Sequence, residues 1–307
     1  MSDTILITDT LFISAEHEAL IRAAEYEIER LPKADATEEE LIAALQGKVG
    51  YVLGGIEKVT DKVIESAKDL KVIAFTGADW QAIIPGWEKA KEKGIKISNA
   101  PGANAPAVAE FAFGMALLMQ RNMLELGRVG DKTFETTETF QGAEVGVIGA
   151  GNIGSRIVKM VAAFAPAKIW YHSRSPKSEL DAEFADLQTL LSQSDVVIVA
   201  APGSIGTIFD KETVGAMKQN ALIVSISPRN LFDFDALLPL LQQERLRAAI
   251  DWPAPSEEYS KLPFHSWYNT TNHTAYNTKS VVQLCSDMGT KSLLNLLEKG
   301  QDDFQVV

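Results

Sequence analysis

Residues 144–154 read EVGVIGAGNIG, and this stretch decides the fold of the second half of the chain. It begins with a short apolar run typical of a buried strand, and the helical segment Ser155–Ala163 follows directly. Between strand and helix the glycines form G-x-G-x-x-G, which permits a tight turn and close approach of the backbone to a pyrophosphate. We therefore expect a dinucleotide at this helix N-terminus, where amide donors and the helix dipole favour phosphate. The residues expected to hold it are Gly149, Gly151, Asn152, Ile153 and Gly154.

Short apolar runs alternate with helical segments on both sides of this stretch. That alternation predicts parallel sheets with helices on both faces, an α/β class with two doubly wound parallel-sheet domains. Ala105–Arg121 is too long and apolar for a strand and predicts a buried linking helix, and Ser280–Leu297 predicts a closing helix. The apolar runs are Ile5–Ile7, Tyr51–Leu53, Lys71–Phe75 and Ile95–Ile97 before the stretch, and Lys168–Tyr171, Asp195–Ala200, Ala221–Ser225 and Ala248–Ile250 after it.

Composition narrows the class of protein. The chain has 307 residues and 46% hydrophobic content, enough to bury the cores of two domains. A net charge of -12 leaves no basic excess to neutralise phosphates, which argues against nucleic-acid or anionic-membrane partners. The single cysteine, Cys285, cannot form an internal disulfide, and the scattered His and Cys residues do not suggest a metal site. With no signal-peptide or membrane-span pattern, a cytoplasmic location is expected.

The second strand of the later series ends at residues 172–177, HSRSPK, where NAD-binding domains usually place an acidic residue against the ribose hydroxyls. No carboxylate is present, so Arg174 can hold a 2'-phosphate bidentately with help from the hydroxyl of Ser173 or Ser175. NADP is therefore preferred, and NAD stays possible. The alternative is that Arg174 and Lys177 belong to an ordinary solvated turn.

Two residues have the chemistry that reduction of a 2-keto acid needs. The reaction requires a cation for the substrate carboxylate and the developing alkoxide, and a proton donor whose pKa lies near neutrality. Arg229 follows the strand Ala221–Ser225, at the carboxyl end where ligands bind in open α/β sheets. His273 follows another short β-favouring run and can face the same crevice, although an isolated histidine is more often structural.

A set of motifs in a fixed order covers almost the whole chain. They are Leu70–Ile73, Gly94–Asn99, Val108–Glu110 with Arg121 downstream, Gly149–Gly154, Arg229 and Ala249–Asp251. In these motifs the chain resembles the D-isomer-specific 2-hydroxyacid dehydrogenases, a family that includes glyoxylate and hydroxypyruvate reductases. The resemblance implies a Rossmann cofactor domain over residues 101–275, inserted in a flavodoxin-like substrate domain made of residues 1–100 and 276–307. It also favours a homodimer through the 105–121 helix region, whose apolar surface could instead be buried between domains.

The resemblance implies roles position by position. Arg229 would bind and polarise the substrate, and His273 would protonate the carbonyl oxygen as hydride arrives. The backbone at Thr76–Gly77, and also at Leu53–Gly54, would receive the substrate carboxylate. The further residues implied for the cofactor are Asp251, at the nicotinamide carboxamide, and Pro202 and Thr207, in the segment after the fourth strand.

The sequence departs from the family pattern at three places. The family's Ala-Arg-Gly is PRN at residues 228–230, and its Thr-Pro-His is TNH at residues 271–273. The family glutamate that pairs with the histidine and raises its pKa is replaced at its position by Ser256, with Glu257 and Glu258 next. We expect Glu257 to be the partner through a short register shift; without a shift the acid–base pair is incomplete.

Two alternatives to a 2-ketoacid reductase stay open. A catalytically weakened nucleotide-binding regulator or partner protein would keep the same fold, and the altered glutamate region is its main support. An NADP enzyme for a different carbonyl substrate would give Arg229 another role.

Overall fold

The computed structural model describes residues 3–8, 13–128, 136–272 and 274–307. The chain divides into two compact units, Met1–Asn104 with Asn277–Val307, and Ala105–Tyr276. Each unit contains one parallel sheet, and both faces of each sheet are covered by apolar cores. No helix among the described residues is long and apolar enough to span a membrane.

The first unit has a five-stranded sheet. Its strands are β1 Thr4–Thr8, β2 Glu27–Leu31, β3 Lys48–Leu53, β4 Val72–Phe75 and β5 Lys96–Ser98. Its helices are α1 Ala15–Ala23, α2 Glu38–Ala44, α3 Asp61–Ser66, α4 Trp80–Ile83, α5 Trp87–Glu92 and, from the end of the chain, α13 Lys279–Glu298. The strand order β2-β1-β3-β4-β5 is the 2-1-3-4-5 order of flavodoxin-like folds, which confirms the predicted class.

The second unit has a seven-stranded sheet. Its strands are β6 Glu144–Ile148, β7 Lys168–His172, β8 Glu183–Phe184, β9 Val196–Val199, β10 Ala221–Ser225, β11 Leu246–Ile250 and β12 Trp267–Asn269. Its helices are α6 Ala105–Gln120, α7 Met123–Arg128, α8 Gly154–Ala162, α9 Leu187–Gln193, α10 Lys211–Ala216, α11 Phe234–Gln242 and α12 Glu257–Ser260. The order β12-β11-β10-β9-β6-β7-β8 is the doubly wound Rossmann arrangement, with its switch point between β6 and β9.

Burial on both faces explains why the central strands β6, β9 and β10 are apolar runs rather than alternating ones. Successive residues of a strand point to opposite faces. In β9, Val196 and Ile198 enter the core formed with α6 and α8, while Val197 and Val199 enter the opposite core, formed with α9, α10 and α11. Each apolar residue of this strand is therefore needed on one face or the other.

Helix α6 confirms the predicted apolar helix almost to the residue. Most of its apolar side chains are buried in the core of the second unit, and Phe111, Leu117 and Leu118 are partly buried against that core. Its exposed positions include Glu110 and Gly114. The apolar length of α6 is thus largely explained by packing within its own unit, and the homodimer stays a prediction.

Strand β2 is not predicted by the apolar pattern of the sequence. Its residues Glu27–Leu31 are polar in alternation and none of them is fully buried, because β2 lies at the edge of the first sheet. Hydrogen bonding to β1, not an apolar run, defines this strand. The other sheet edge, β5, is covered by residues near the C-terminus, where Ser98 bridges antiparallel to Gln305.

Candidate active site

The predicted ligand residues of the second unit lie at one edge of its sheet. The glycine loop follows β6, residues 173–177 follow β7, residues 200–207 follow β9, and Arg229 follows β10. Because all these strands are parallel, their carboxyl ends meet at the same edge. Backbone hydrogen bonds join the ends of β6, β7 and β9. The amide of Gly149 donates to the carbonyl of His172 (2.8 Å), and the amide of Ala200 donates to the carbonyl of Ile148 (2.8 Å).

Two of the three motif glycines are required by the protein's own backbone. Gly149 has φ +92°, and a Cβ there would lie 2.3 Å from the carbonyl oxygen of Ala200, directly at the switch point. A Cβ on Gly154 would lie 1.7 Å from the carbonyl oxygen of Gly149. Gly151 is different, because it is exposed and a Cβ there would meet nothing within 4 Å. The open space beside Gly151, just before the N-terminus of α8, fits the prediction that a pyrophosphate binds there.

The loop after β7 presents polar side chains to solvent. The Ser173 hydroxyl donates to the carbonyl of Ser175 (2.6 Å), and the amide of Lys177 donates to the hydroxyl of Tyr171 (2.6 Å), so the loop is shaped by its own hydrogen bonds. Arg174 is exposed, and no hydrogen bond or ion pair within the described part of the chain occupies its guanidinium. Arg174 is therefore available to an anionic ligand.

The turn that carries Arg229 is anchored by a buried serine that the sequence analysis did not single out. Ser227 is 2% exposed, and its hydroxyl donates to the carbonyl of Val199 (3.1 Å) while accepting from the amide of Ala201 (2.9 Å). The indole N–H of Trp252 donates to the carbonyl of Ser227 (2.8 Å). Three strand ends are thereby joined. Arg229 begins a short 3₁₀ helix, Arg229–Leu231, and is exposed.

The guanidinium of Arg229 lies 5.5 Å from the ring centroid of Phe234. An arginine over an aromatic face at this distance is weakly held, so it can move to a carboxylate at small cost. Both residues are at the carboxyl edge of the second sheet, next to the segment after β9 that is predicted to line the cofactor.

Asp251 is a buried carboxylate at the carboxyl edge of the second sheet. It is 0% exposed and lies directly after β11. Its carboxylate accepts from the hydroxyl of Thr270 (2.9 Å) and from the amides of Thr274 (3.1 Å) and Ala275 (3.0 Å). It therefore holds residues on both sides of His273. His273 itself lies outside the described residues, and the contact of Asp251 with the nicotinamide carboxamide stays a prediction.

Glu257, the expected partner of the histidine, is on the short helix α12. Its side chain is 83% exposed and pairs with Lys261 at 2.9 Å. The hydroxyl of Ser256 donates to Glu258 at 2.8 Å, so the neighbouring carboxylate is also engaged on the surface. To serve as the partner, Glu257 would have to leave its ion pair with Lys261.

The predicted carboxylate-binding residues of the first unit follow β3 and β4, again at carboxyl ends. The amide of Thr76 donates to the carbonyl of Leu53 (3.1 Å), and the amide of Gly54 donates to the hydroxyl of Thr8 (3.3 Å). The amides of Thr76 and Gly54 are thus already hydrogen-bonded, whereas the amide of Gly77 has no acceptor in the part of the chain that the structure describes. Among the predicted amides, that of Gly77 is therefore best placed to receive an anion.

A buried polar group lies beneath this loop of the first unit. The Tyr51 hydroxyl donates to Glu57 (2.7 Å) and lies 3.2 Å from the hydroxyl of Thr8. Burial raises the pKa of Tyr51 well above its usual value, and the neighbouring Glu57 carboxylate raises it further. Tyr51 therefore stays protonated and keeps donating to Glu57.

The comparisons with known proteins agree with this geometry. The family model described as D-isomer specific 2-hydroxyacid dehydrogenase, NAD binding domain, matches residues 113–275, more than half of the chain. The chain belongs to the D-isomer specific 2-hydroxyacid dehydrogenase family. Its second unit is the NAD(P)-binding domain of that family, and the prediction that the protein is an NAD(P)-dependent 2-hydroxyacid dehydrogenase is confirmed.

Similar proteins of this dehydrogenase family span most of the chain. The hydroxypyruvate reductase of Thermotoga maritima is 34% identical over 219 residues, 69% of this chain and 71% of that protein. The D-3-phosphoglycerate dehydrogenase of Methanocaldococcus jannaschii is 34% identical over 257 residues, 80% of this chain and 48% of that longer protein. The crystal structure of the TT0316 protein from Thermus thermophilus superposes with a TM-score of 0.86 at 26% identity, covering 99% of this chain and 100% of that one.

Proposed function

We propose that this dehydrogenase reduces a small 2-keto acid to the D-2-hydroxy acid and takes its hydride from NADPH. The observation that supports the proposal is the carboxyl edge of the second sheet, along which the glycine loop, the exposed Arg174 after β7 and Arg229 after β10 all lie. The hydroxypyruvate reductase similar to this chain acts on a compound of that substrate class, as its name states.

The preference for NADP rests on the loop after β7. The bound cofactor supplies the hydride. Gly149–Gly154 would hold its pyrophosphate, and Arg174 with Ser173 or Ser175 would hold the 2'-phosphate, since a bidentate arginine matches phosphate geometry. Pro202, Thr207 and Asp251 complete the proposed cofactor residues. No carboxylate lies between residues 172 and 178 to repel the phosphate, and NAD stays possible as a second cofactor.

The chemical step is assigned to two side chains. Arg229 would bind the substrate carboxylate or carbonyl and stabilise the negative charge that develops on the oxygen. His273 would give its proton to that oxygen, and Asp251 holds Thr270, Thr274 and Ala275 on either side of it in sequence. The loop at Thr76–Gly77 of the first unit would receive the substrate carboxylate, with Gly77 favoured over Thr76 and Gly54 because its amide is not engaged.

The first test follows NADPH oxidation at 340 nm with glyoxylate, hydroxypyruvate, pyruvate and phenylpyruvate, with NADH in parallel. We expect turnover with NADPH that is lost in His273→Ala and strongly reduced in Arg229→Ala. Turnover with NADH alone would contradict the cofactor proposal but not the chemistry. Tight NADPH binding without turnover of any of the four acids would favour the regulator or another carbonyl substrate.

The role of Arg174 has its own test. Arg174→Ala should raise the dissociation constant of NADPH by about tenfold to a hundredfold, the value of one charge-assisted contact, and leave that of NADH unchanged. Lys159→Ala is the matched control, because it removes an exposed cation from the last turn of α8 on the same unit. If Arg174→Ala raised the dissociation constants of NADPH and NADH equally, Arg174 would not bind the 2'-phosphate.

A binding protein without turnover is the less favoured alternative, because the similar proteins are named as enzymes. Its support is the surface position of Glu257. Homodimerisation through the 105–121 region and a cytoplasmic location stay part of the proposal. Light scattering of the purified protein tests the first, and Phe111→Asp, at a partly buried position of α6, should shift any dimer towards monomer.

A further inference from the structure

Both sequence neighbours of Arg229 lie close to the same glycine. Pro228 precedes Arg229 and Asn230 follows it. A Cβ on Gly203, in the segment after β9, would lie 2.8 Å from the Asn230 side-chain oxygen and 3.3 Å from Pro228. The turn that carries Arg229 therefore packs directly against the segment proposed to line the cofactor.

Hydrogen bonds cross this contact in both directions. The side-chain amide of Asn230 donates to the carbonyl of Gly203 at 2.7 Å, and the hydroxyl of Thr207 donates to the carbonyl of Asn230 at 3.3 Å. Just beyond them, the amides of Ile208 and Phe209 both donate to the carbonyl of Leu231 at 2.9 Å. The bond to Gly203 depends on the Asn230 side chain, whereas the other three bonds are accepted by backbone carbonyls of Asn230 and Leu231.

We propose that Asn230 is a positioning residue that couples the cofactor-lining segment 202–207 to the substrate-binding turn 228–231. Through the Asn230 amide, a cofactor that contacts the segment would change the position of the neighbouring Arg229. The substrate then meets an arginine whose position already depends on bound cofactor. This inference rests on the proposed function, since it takes Arg229 as the substrate-binding residue.

The experiment measures coupling between the two ligands. Oxamate, an unreactive analogue of small 2-keto acids, is titrated by calorimetry with and without NADP⁺. The ratio of the two dissociation constants is the coupling, which is equal in both directions by linkage. In the native protein we expect oxamate to bind more tightly with the cofactor present. In Asn230→Ala and Asn230→Gly this ratio should fall by about threefold to tenfold, the range expected for one hydrogen bond.

Two variants separate the bond from the side chain's bulk. Asn230→Asp keeps the shape but cannot donate to the Gly203 carbonyl, so it should lose the coupling as Asn230→Ala does. Gln219→Ala is the matched control, because the Gln219 amide also donates to a backbone carbonyl, that of Glu244, but lies before β10 at the opposite edge of the sheet. It should keep the native ratio.

The outcomes distinguish the inference from the proposed function. If Arg229→Ala binds oxamate like the native protein, the substrate role of Arg229 fails, and the inference fails with it. If Arg229→Ala loses oxamate binding but Asn230→Ala keeps the native ratio, only the inference is overturned. A native ratio of one, or a retained ratio in Asn230→Asp, would overturn it as well. A uniform rise of both dissociation constants in Asn230→Ala would overturn it too, because it would indicate a structural role without coupling.

Discussion

Gly151 and Gly154 are three residues apart in one motif, but the structure predicts opposite effects of adding a methyl group to each. In Gly154→Ala the Cβ would lie 1.7 Å from the Gly149 carbonyl oxygen, a backbone atom at the end of a central strand that cannot easily move. Overpacking usually costs about 1–3 kcal/mol, and this backbone clash should cost about 3 kcal/mol. For a domain of this size the loss corresponds to a fall in Tm of roughly 6–12 °C.

In Gly151→Ala the added Cβ meets nothing within 4 Å. Its φ is not in the left-handed region, so the substitution should leave the stability of the ligand-free protein unchanged or raise it by about 0.4–1 kcal/mol through the unfolded state. The methyl group would instead occupy the space expected for the pyrophosphate. We expect the dissociation constant of NADPH to rise at least about tenfold, the value of a lost charge-assisted hydrogen bond.

The assay combines thermal denaturation without ligand and calorimetric titration with NADPH for both variants. Gly114→Ala is the matched control, because Gly114 lies on the exposed side of α6 with no atom near its Cβ position. If Gly151→Ala binds NADPH as tightly as the native protein, the pyrophosphate does not occupy the space beside Gly151. The predicted clash is refuted if Gly154→Ala melts at the native temperature, since the carbonyl of Gly149 would then yield without cost.

Three further predictions concern buried and titrating groups. Asp251→Asn should lower the free energy of unfolding by roughly 1–3 kcal/mol, because buried donors lose an anionic acceptor, and urea denaturation measures it. Burial lowers the pKa of His265, but hydrogen bonds to Glu125 and Glu244 outweigh it and raise the pKa overall. The resulting stabilisation is complete below about pH 6.5 and is lost as pH rises through the raised pKa, so the Tm difference between native protein and His265→Gln should shrink from pH 5.5 to 8.5. A difference independent of pH would contradict this. If Glu257 is the histidine partner, Glu257→Gln should lower the upper pKa of the kcat profile and Lys261→Ala should not; an unchanged profile would remove Glu257 from the site.

The fold was predictable because its signal is local. Apolar runs followed by helical segments determine parallel strands buried on both faces, and the glycine pattern follows β6, beside which the strand order of the second sheet reverses. The exceptions are the edge strands β2, Glu27–Leu31, and β8, Glu183–Phe184, neither of which is a buried apolar run. An edge strand needs no apolar run, because one side of it has no neighbouring strand and its residues remain accessible to water.

The candidate site was predictable only as far as residue type and strand end. That Arg229 and Asp251 lie at carboxyl edges follows from the strand pattern. The strand pattern does not show which backbone amides remain free to bind a ligand, because their hydrogen-bond partners are distant in sequence. The amide of Gly54, for example, donates to the hydroxyl of Thr8, 46 residues away. The role of Ser227 was missed for the same reason, since its hydroxyl serves β9, 28 residues away.

The residues at the carboxyl edge of the second sheet differ in burial. Ser227 and Thr270 are 2% and 8% exposed, and their hydrogen bonds to other parts of the chain hold the loops in place. Asp251 is also buried and holds its neighbours, although it is a proposed cofactor residue as well. The residues proposed to touch ligands, such as Arg174 and Arg229, are exposed and lightly held. Substituting an exposed residue such as Arg174 or Arg229 should therefore remove few of the contacts that hold these loops in place. The turn around Arg229 thus keeps its position through Ser227, which is tied to three strand ends, while Arg229 itself stays exposed.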